Sequence, residues 1–163
     1  MLQLSGPPAL SPFRIRKLLA ALQAEEPAIR GVCSAYVHLV DVTRELDPGE
    51  TAVLERLLQY GPRFENVPAG TTEVWVLPRF GTISPWSSKA TDIAHICGLD
   101  AIRRIERGVS YCLDTAETIG PARLRDLAVF LHDRMTESVV LGAEEAGAVF
   151  NAHDPVPFAT VDI

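Results

Sequence analysis

Segments with the two-residue period of a strand alternate with segments of helical period in two similar passes, over roughly 1–60 and 72–141. No glycine-rich dinucleotide fingerprint follows any of the strand-like segments, which argues against a Rossmann-type sheet. The alternation instead favours an α+β fold, a mainly antiparallel sheet flanked by helices and covered on one face. The two passes share no sequence identity, so a duplication rests on the order of elements alone.

The punctuation within each pass is specific. Met1 to Leu4 reads as a short strand ended by Gly6-Pro7-Pro8. Ser11 caps a helix over about 12–24, Pro12 fits its first position, and Ile15, Leu18, Leu19 and Leu22 form one apolar stripe. Cys33 to Val42 is apolar on both faces, as a central strand would be. A helix over about 48–60 opens at Asp47-Pro48, where Glu50 completes a capping box, and stops at Gly61-Pro62. Thr72 to Leu77 and Ile105 to Leu113 read as strands, Phe80 to Ser87 as a loop, 88–97 and 121–133 as helices. Thr136 to Leu141 suits an edge strand, and a short helix fits Ala143 to Phe150. Residues 1–150 therefore form one domain. The stretch 151–163, with two prolines, reads as the start of an interdomain linker in a chain cut from a longer one.

The chain has 163 residues, 47% of them hydrophobic, enough for one real core. Net charge is −6 with the basic residues dispersed, so neither nucleic acid nor an anionic membrane is an expected partner. No apolar run approaches the roughly 18 residues of a membrane helix. Cys33, Cys97 and Cys112 are too few and scattered for a disulfide framework and suit a reducing, cytoplasmic setting.

Chemistry concentrates in Gly81-Thr82-Ile83-Ser84-Pro85-Trp86-Ser87-Ser88-Lys89-Ala90-Thr91-Asp92-Ile93-Ala94-His95. A hydroxyl-rich loop that empties into a helix offers unpaired N–H groups and a positive dipole end, suited to an anion, and Lys89 adds to that. Helical spacing predicts a buried face of Ala90, Ile93, Ala94 and Cys97. Ser88, Thr91, Asp92 and His95 fall on the opposite face, a candidate surface for ligand or partner. A plainer reading has Ser87 or Ser88 as a cap, Asp92 and His95 solvated, and Trp86 in the core. His95 and Cys97 point to different faces, so no metal site is expected. His38, in an apolar strand, reads as a hydrogen-bonded core histidine. Arg107 either reaches an acidic partner or lies at a plain surface position. No nucleophile, base and orienting group assemble, so no catalytic residue is assigned.

The loop Phe80 to His95 resembles the signature of the N-terminal domain of large-type phosphoribosylformylglycinamidine synthases. The resemblance continues through Ser11-Pro12-Phe13-Arg14, Tyr36-Val37-His38, Leu54 to Pro62, Ile105-Glu106-Arg107-Gly108 and Leu131 to Glu137, in order along nearly the whole chain. Two positions depart from the family's pattern: Phe80 stands where proline is usual and Ile96 where asparagine is usual.

The resemblance implies a glutamine-dependent, ATP-consuming ligase that converts formylglycinamide ribonucleotide to formylglycinamidine ribonucleotide in purine biosynthesis. ATP and Mg²⁺ are implied for a synthetase region beyond these residues, and the cysteine nucleophile for a glutaminase domain; no cofactor is implied within this chain. The family's N-terminal domain is similar to a dimer of a small, ferredoxin-like subunit. Its implied partners are the synthetase and glutaminase domains of the same polypeptide, which it bridges without catalysis of its own. Thr82, Ser84, Ser87, Ser88, Lys89, Thr91, Asp92, His95 and Arg107 are then the binding or docking residues. Alternatively the loop 81–95 touches the phosphate of substrate or ATP.

Overall fold

The computed structural model describes residues 1–62 and 71–151. They form β1 (Leu2–Pro8), α1 (Pro12–Glu25), β2 (Ile29–Val42), α2 (Pro48–Leu57), β3 (Thr72–Pro78), α3 (Pro85–Ile96), β4 (Ile102–Thr115), α4 (Pro121–Leu127), β5 (Glu137–Val140) and α5 (Ala143–Ala146). Short 3₁₀ turns follow α4 and α5. The five strands make one antiparallel sheet in the order β1-β2-β4-β3-β5, an α+β architecture consistent with a ferredoxin-like module.

Each helix starts where its punctuation allows. Ser11 Oγ accepts from Arg14 N–H, and Pro12 occupies the first turn, where a missing N–H costs nothing. At α2 the capping box is complete: Glu50 N–H donates to Asp47 Oδ1 at 2.8 Å, and Asp47 N–H donates to Glu50 Oε2 at 2.9 Å. Both passes run strand, helix, strand, helix, and the two 14-residue strands β2 and β4 pair along their length, from Ile29↔Thr115 to Val42↔Ile102.

The alternation along β2 and β4 divides the core. On one face, α1 and α4 cover one end, where Leu22, Leu124 and Leu127 pack on Val74, Tyr111 and Leu113. At the other end of that face, α2 and α3 bring Leu54, Leu58 and Ala94 onto Val40, Ile102 and Ile105. The opposite face buries Val37, Leu39, Trp75, Leu77 and Val140 beneath Ala146 and Val149 of the C-terminal helical turns. Helices therefore lie on both faces rather than one, because β2, β3 and β5 present large side chains on the second side too. At about 1.5–3 kcal/mol for each such side chain, leaving them wet would be costly.

Several boundaries differ from expectation. β1 continues to Pro8, while β2 and β4 begin earlier and β4 also ends later than the apolar pattern indicates. α2 closes at Leu57, and α4 gives way to a 3₁₀ turn at Ala128, short of Asp133. The loop at Phe80 is shorter than expected, since α3 already starts at Pro85. The expected linker, 151–163, lies outside the described residues apart from Asn151. Among the described residues no helix is long and apolar enough to cross a membrane.

Candidate functional site

α3 begins one residue after Ser84, whose extended backbone and side chain make it the cap: Ser87 N–H donates to Ser84 Oγ at 3.0 Å. The same hydroxyl donates to Glu106 Oε2 at 2.8 Å, and Ser84 N–H donates to Glu106 Oε1 at 3.3 Å. Arg104 completes the arrangement. Its Nε donates to Glu106 Oε1 at 3.0 Å, its Nη2 pairs with the same oxygen, and Nη2 also donates to the Thr82 carbonyl at 2.6 Å. Glu106 has no exposed surface. The donor-rich end of α3 thus already faces an anion of the protein's own, a buried carboxylate paired with one arginine.

This anchorage sets the rotation of α3. Thr91 Oγ1 accepts from Ile105 N–H at 3.0 Å, so the face toward the sheet runs through Ser87, Ala90, Thr91 and Ala94. Ala94 is buried as expected. Ile93 and Cys97, expected in the core, are exposed, Ile93 to 50%. The apolar period proposed one face, but two polar tethers, Ser84 to Glu106 and Thr91 to the β4 backbone, fixed another.

The proposed site residues consequently separate. Ser88, Lys89 and Asp92 are exposed on the outside of α3. Ser87 is fully buried with no hydrogen-bond partner for its hydroxyl among the described residues. Thr91 is half-buried and structural, and the cap is Ser84 rather than Ser87 or Ser88. Thr82 is exposed, its hydroxyl donating to the Arg79 carbonyl at 2.6 Å. His95 Nε2 donates to the Ile102 carbonyl at 2.6 Å, so it ties α3 to β4 instead of projecting freely.

Arg107 is neither at a plain surface position nor, among the described residues, within ion-pair reach of a carboxylate. Its guanidinium stacks between two rings, 4.5 Å from the centre of Tyr36 and 4.8 Å from that of Trp86, an arrangement that stabilises a cation. Across the strand pair from it lies His38, fully buried, with Nε2 2.8 Å from the Tyr60 hydroxyl. Burial lowers the His38 pKa to about 4; the Leu4 backbone works against that shift and the Arg107 charge adds to it. His38 is thus the neutral core histidine its apolar strand indicates. Burial raises the Tyr60 pKa, while Arg107 opposes the rise.

Two hollows flank Arg107. One, of about 560 Å³, lies toward Thr82, Ser84 and Thr136; the other, of about 380 Å³, lies between α2 and α3. Arg104, Glu106, Tyr36, Tyr60 and Trp86 are the site residues that sequence reasoning did not assign. For Glu106 a signal existed: Arg104 and Glu106 share one face of a strand two residues apart, where a buried ion pair can form. The aromatic box had no such local signal, because its rings come from β2, the segment after α2, and α3. A family model described as formylglycinamide ribonucleotide amidotransferase N-terminal matches residues 35–150, a span that includes all of these groups.

Proposed function

Since the chain belongs to the formylglycinamide ribonucleotide amidotransferase N-terminal family, an assignment to purine biosynthesis, we propose that it is a non-catalytic docking module bridging the enzyme's synthetase and glutaminase parts. On this reading ATP and Mg²⁺ act in the synthetase region, the glutaminase supplies ammonia, and the whole works in the cytoplasm. A reaction that must keep ammonia from water needs its two sites held in fixed relation, and a rigid sheet with helices on both faces suits that task.

The observation that carries the reading is the closed N-terminus of α3. Ser84, the cap, gives both its N–H and its hydroxyl to Glu106, so it fixes α3 and sets a carboxylate where a phosphate would have to sit. What α3 then presents outward is Ser88, Lys89, Asp92, Ile93 and Ile96, a mixed surface of the kind that meets another protein surface. The alternative, that loop 81–95 touches the phosphate of substrate or ATP, draws on the exposed Lys89 and Ser88 in the first turns.

The isolated chain, supplied with formylglycinamide ribonucleotide, ATP, Mg²⁺ and glutamine, is expected to show no turnover; activity above background would refute the docking role. In the full-length enzyme, Lys89→Ala and Asp92→Asn are expected to lower kcat or raise KM. Because both side chains are exposed, stability should change by less than about 1 kcal/mol. Wild-type kinetics in both variants would reduce α3 to a structural helix.

A further inference from the structure

We propose that the groove between α2 and α3 receives an apolar peptide segment carrying a carboxylate, contributed by the remainder of the amidotransferase, with Arg107 and Lys89 as its counter-charges. The inference rests on the docking role and names the surface that performs it.

The groove, about 380 Å³, is walled by Leu57 and Tyr60 on one side and by Trp86 and Ile93 on the other. Its rim leaves large hydrophobic groups in water: Ile93 is 50% exposed, Tyr60 47%, and Ile96, one turn beyond Ile93, 84%. Such a concentration on one short helix and its neighbour marks an interaction surface rather than scattered surface apolarity. Aromatic walls with an arginine at the base have the composition of an interface centre.

Charge selects the occupant. Among the described residues, those lining the groove include two cations and no acid. Among the described residues neither Lys89 nor Arg107 lies within ion-pair distance of a carboxylate, although the chain's net charge is −6. Arg107 is moreover held in place by Tyr36 and Trp86, so its planar fork is ordered before anything binds and loses little freedom on pairing. A carboxylate matches one guanidinium fork. A phosphate would look for convergent backbone N–H donors, but Ser84, the cap of the nearest helix N-terminus, gives its N–H and hydroxyl to the Glu106 carboxylate, whose charge would repel a second anion.

The test uses the full-length enzyme with the photoreactive residue p-benzoylphenylalanine placed at Ile93 or, as a reference on another surface, at exposed Phe13 of α1. The expected capture from Ile93 is a peptide of the enzyme's body with Asp or Glu within a few residues. A carbodiimide should join Lys89 to that same acid. Lys89→Glu and Arg107→Gln should each lower capture about tenfold, as loss of one charge-assisted hydrogen bond would; Lys89, being exposed, keeps the test valid should Arg107→Gln perturb folding. The proposal is overturned by capture that ignores both substitutions, by a captured peptide without an acid, or by capture that inorganic phosphate or ATP abolishes. Capture from Phe13 alone would place docking elsewhere and overturn the groove but not the docking role. Silence at both positions would overturn both.

Discussion

His38 should make the stability of this domain depend on pH in a window where few other groups titrate. Its imidazole is buried and neutral, with a pKa of about 4 against 6.5 for the free side chain. Between these values the unfolded chain binds a proton that the folded chain refuses. The His38 contribution to stability is therefore constant above about pH 6.5, falls as pH drops through the window, and levels below about pH 4. At about 1.4 kcal/mol per unit, the 2.5-unit gap corresponds to a loss of about 3 kcal/mol in total. The Glu50 carboxyl, held at about 2 by Arg44, titrates on the acid side and does not interfere. Urea unfolding followed by circular dichroism, from pH 7.5 down to 4.5, measures the slope for the wild type and for His38→Gln. The variant should be less stable at neutral pH, yet its curve should lack the steep segment. Parallel curves for the two proteins would refute the assignment of a neutral, desolvated imidazole.

Three shorter expectations concern the same framework. Glu106→Gln leaves Arg104 without its counter-charge beneath α3 and should cost about 3–5 kcal/mol, read from the urea midpoint; a loss under 1 kcal/mol would show that the pair is not desolvated. Gly108→Ala sets a methyl 2.7 Å from the Val76 carbonyl oxygen and against Leu77, so β3 must shift and thermal unfolding should fall by the equivalent of about 2 kcal/mol or more. With Ellman's reagent Cys97, exposed at the end of α3, should react quickly. Cys112, buried and with its thiol pushed up to about 12, should react only on unfolding; equal rates would contradict the packing of β4.

The resemblance to the synthase family was carried by residues whose roles lie in different parts of the fold. Tyr36 and His38 belong to β2, Tyr60 follows α2, Trp86 opens α3, and Glu106, Arg107 and Gly108 lie on β4. Their spacing in sequence held no clue that five of them, Tyr36, His38, Tyr60, Trp86 and Arg107, meet in one aromatic, cationic box. Only the pairing of β2 with β4, and the packing of α2 and α3 on that pair, brings them within ring-contact distance.

What the sequence alone determined was what neighbouring residues decide among themselves. Ser11-Pro12 and Asp47-Pro48-Gly49-Glu50 start helices because the cap and the backbone it serves lie within three residues. A run apolar on both faces marked β2 and alternation marked β4, and the absent glycine fingerprint turned the fold toward an antiparallel sheet. The tertiary structure decided which way α3 faces, because Ser84 and Thr91 answer to Glu106 and Ile105, more than ten residues away, and hydrogen bonds to a buried partner outweigh a weak apolar period. It also decided that Arg107 stands ordered but unpaired by acid among the described residues, since that follows from two rings, Tyr36 and Trp86, supplied by two separate elements.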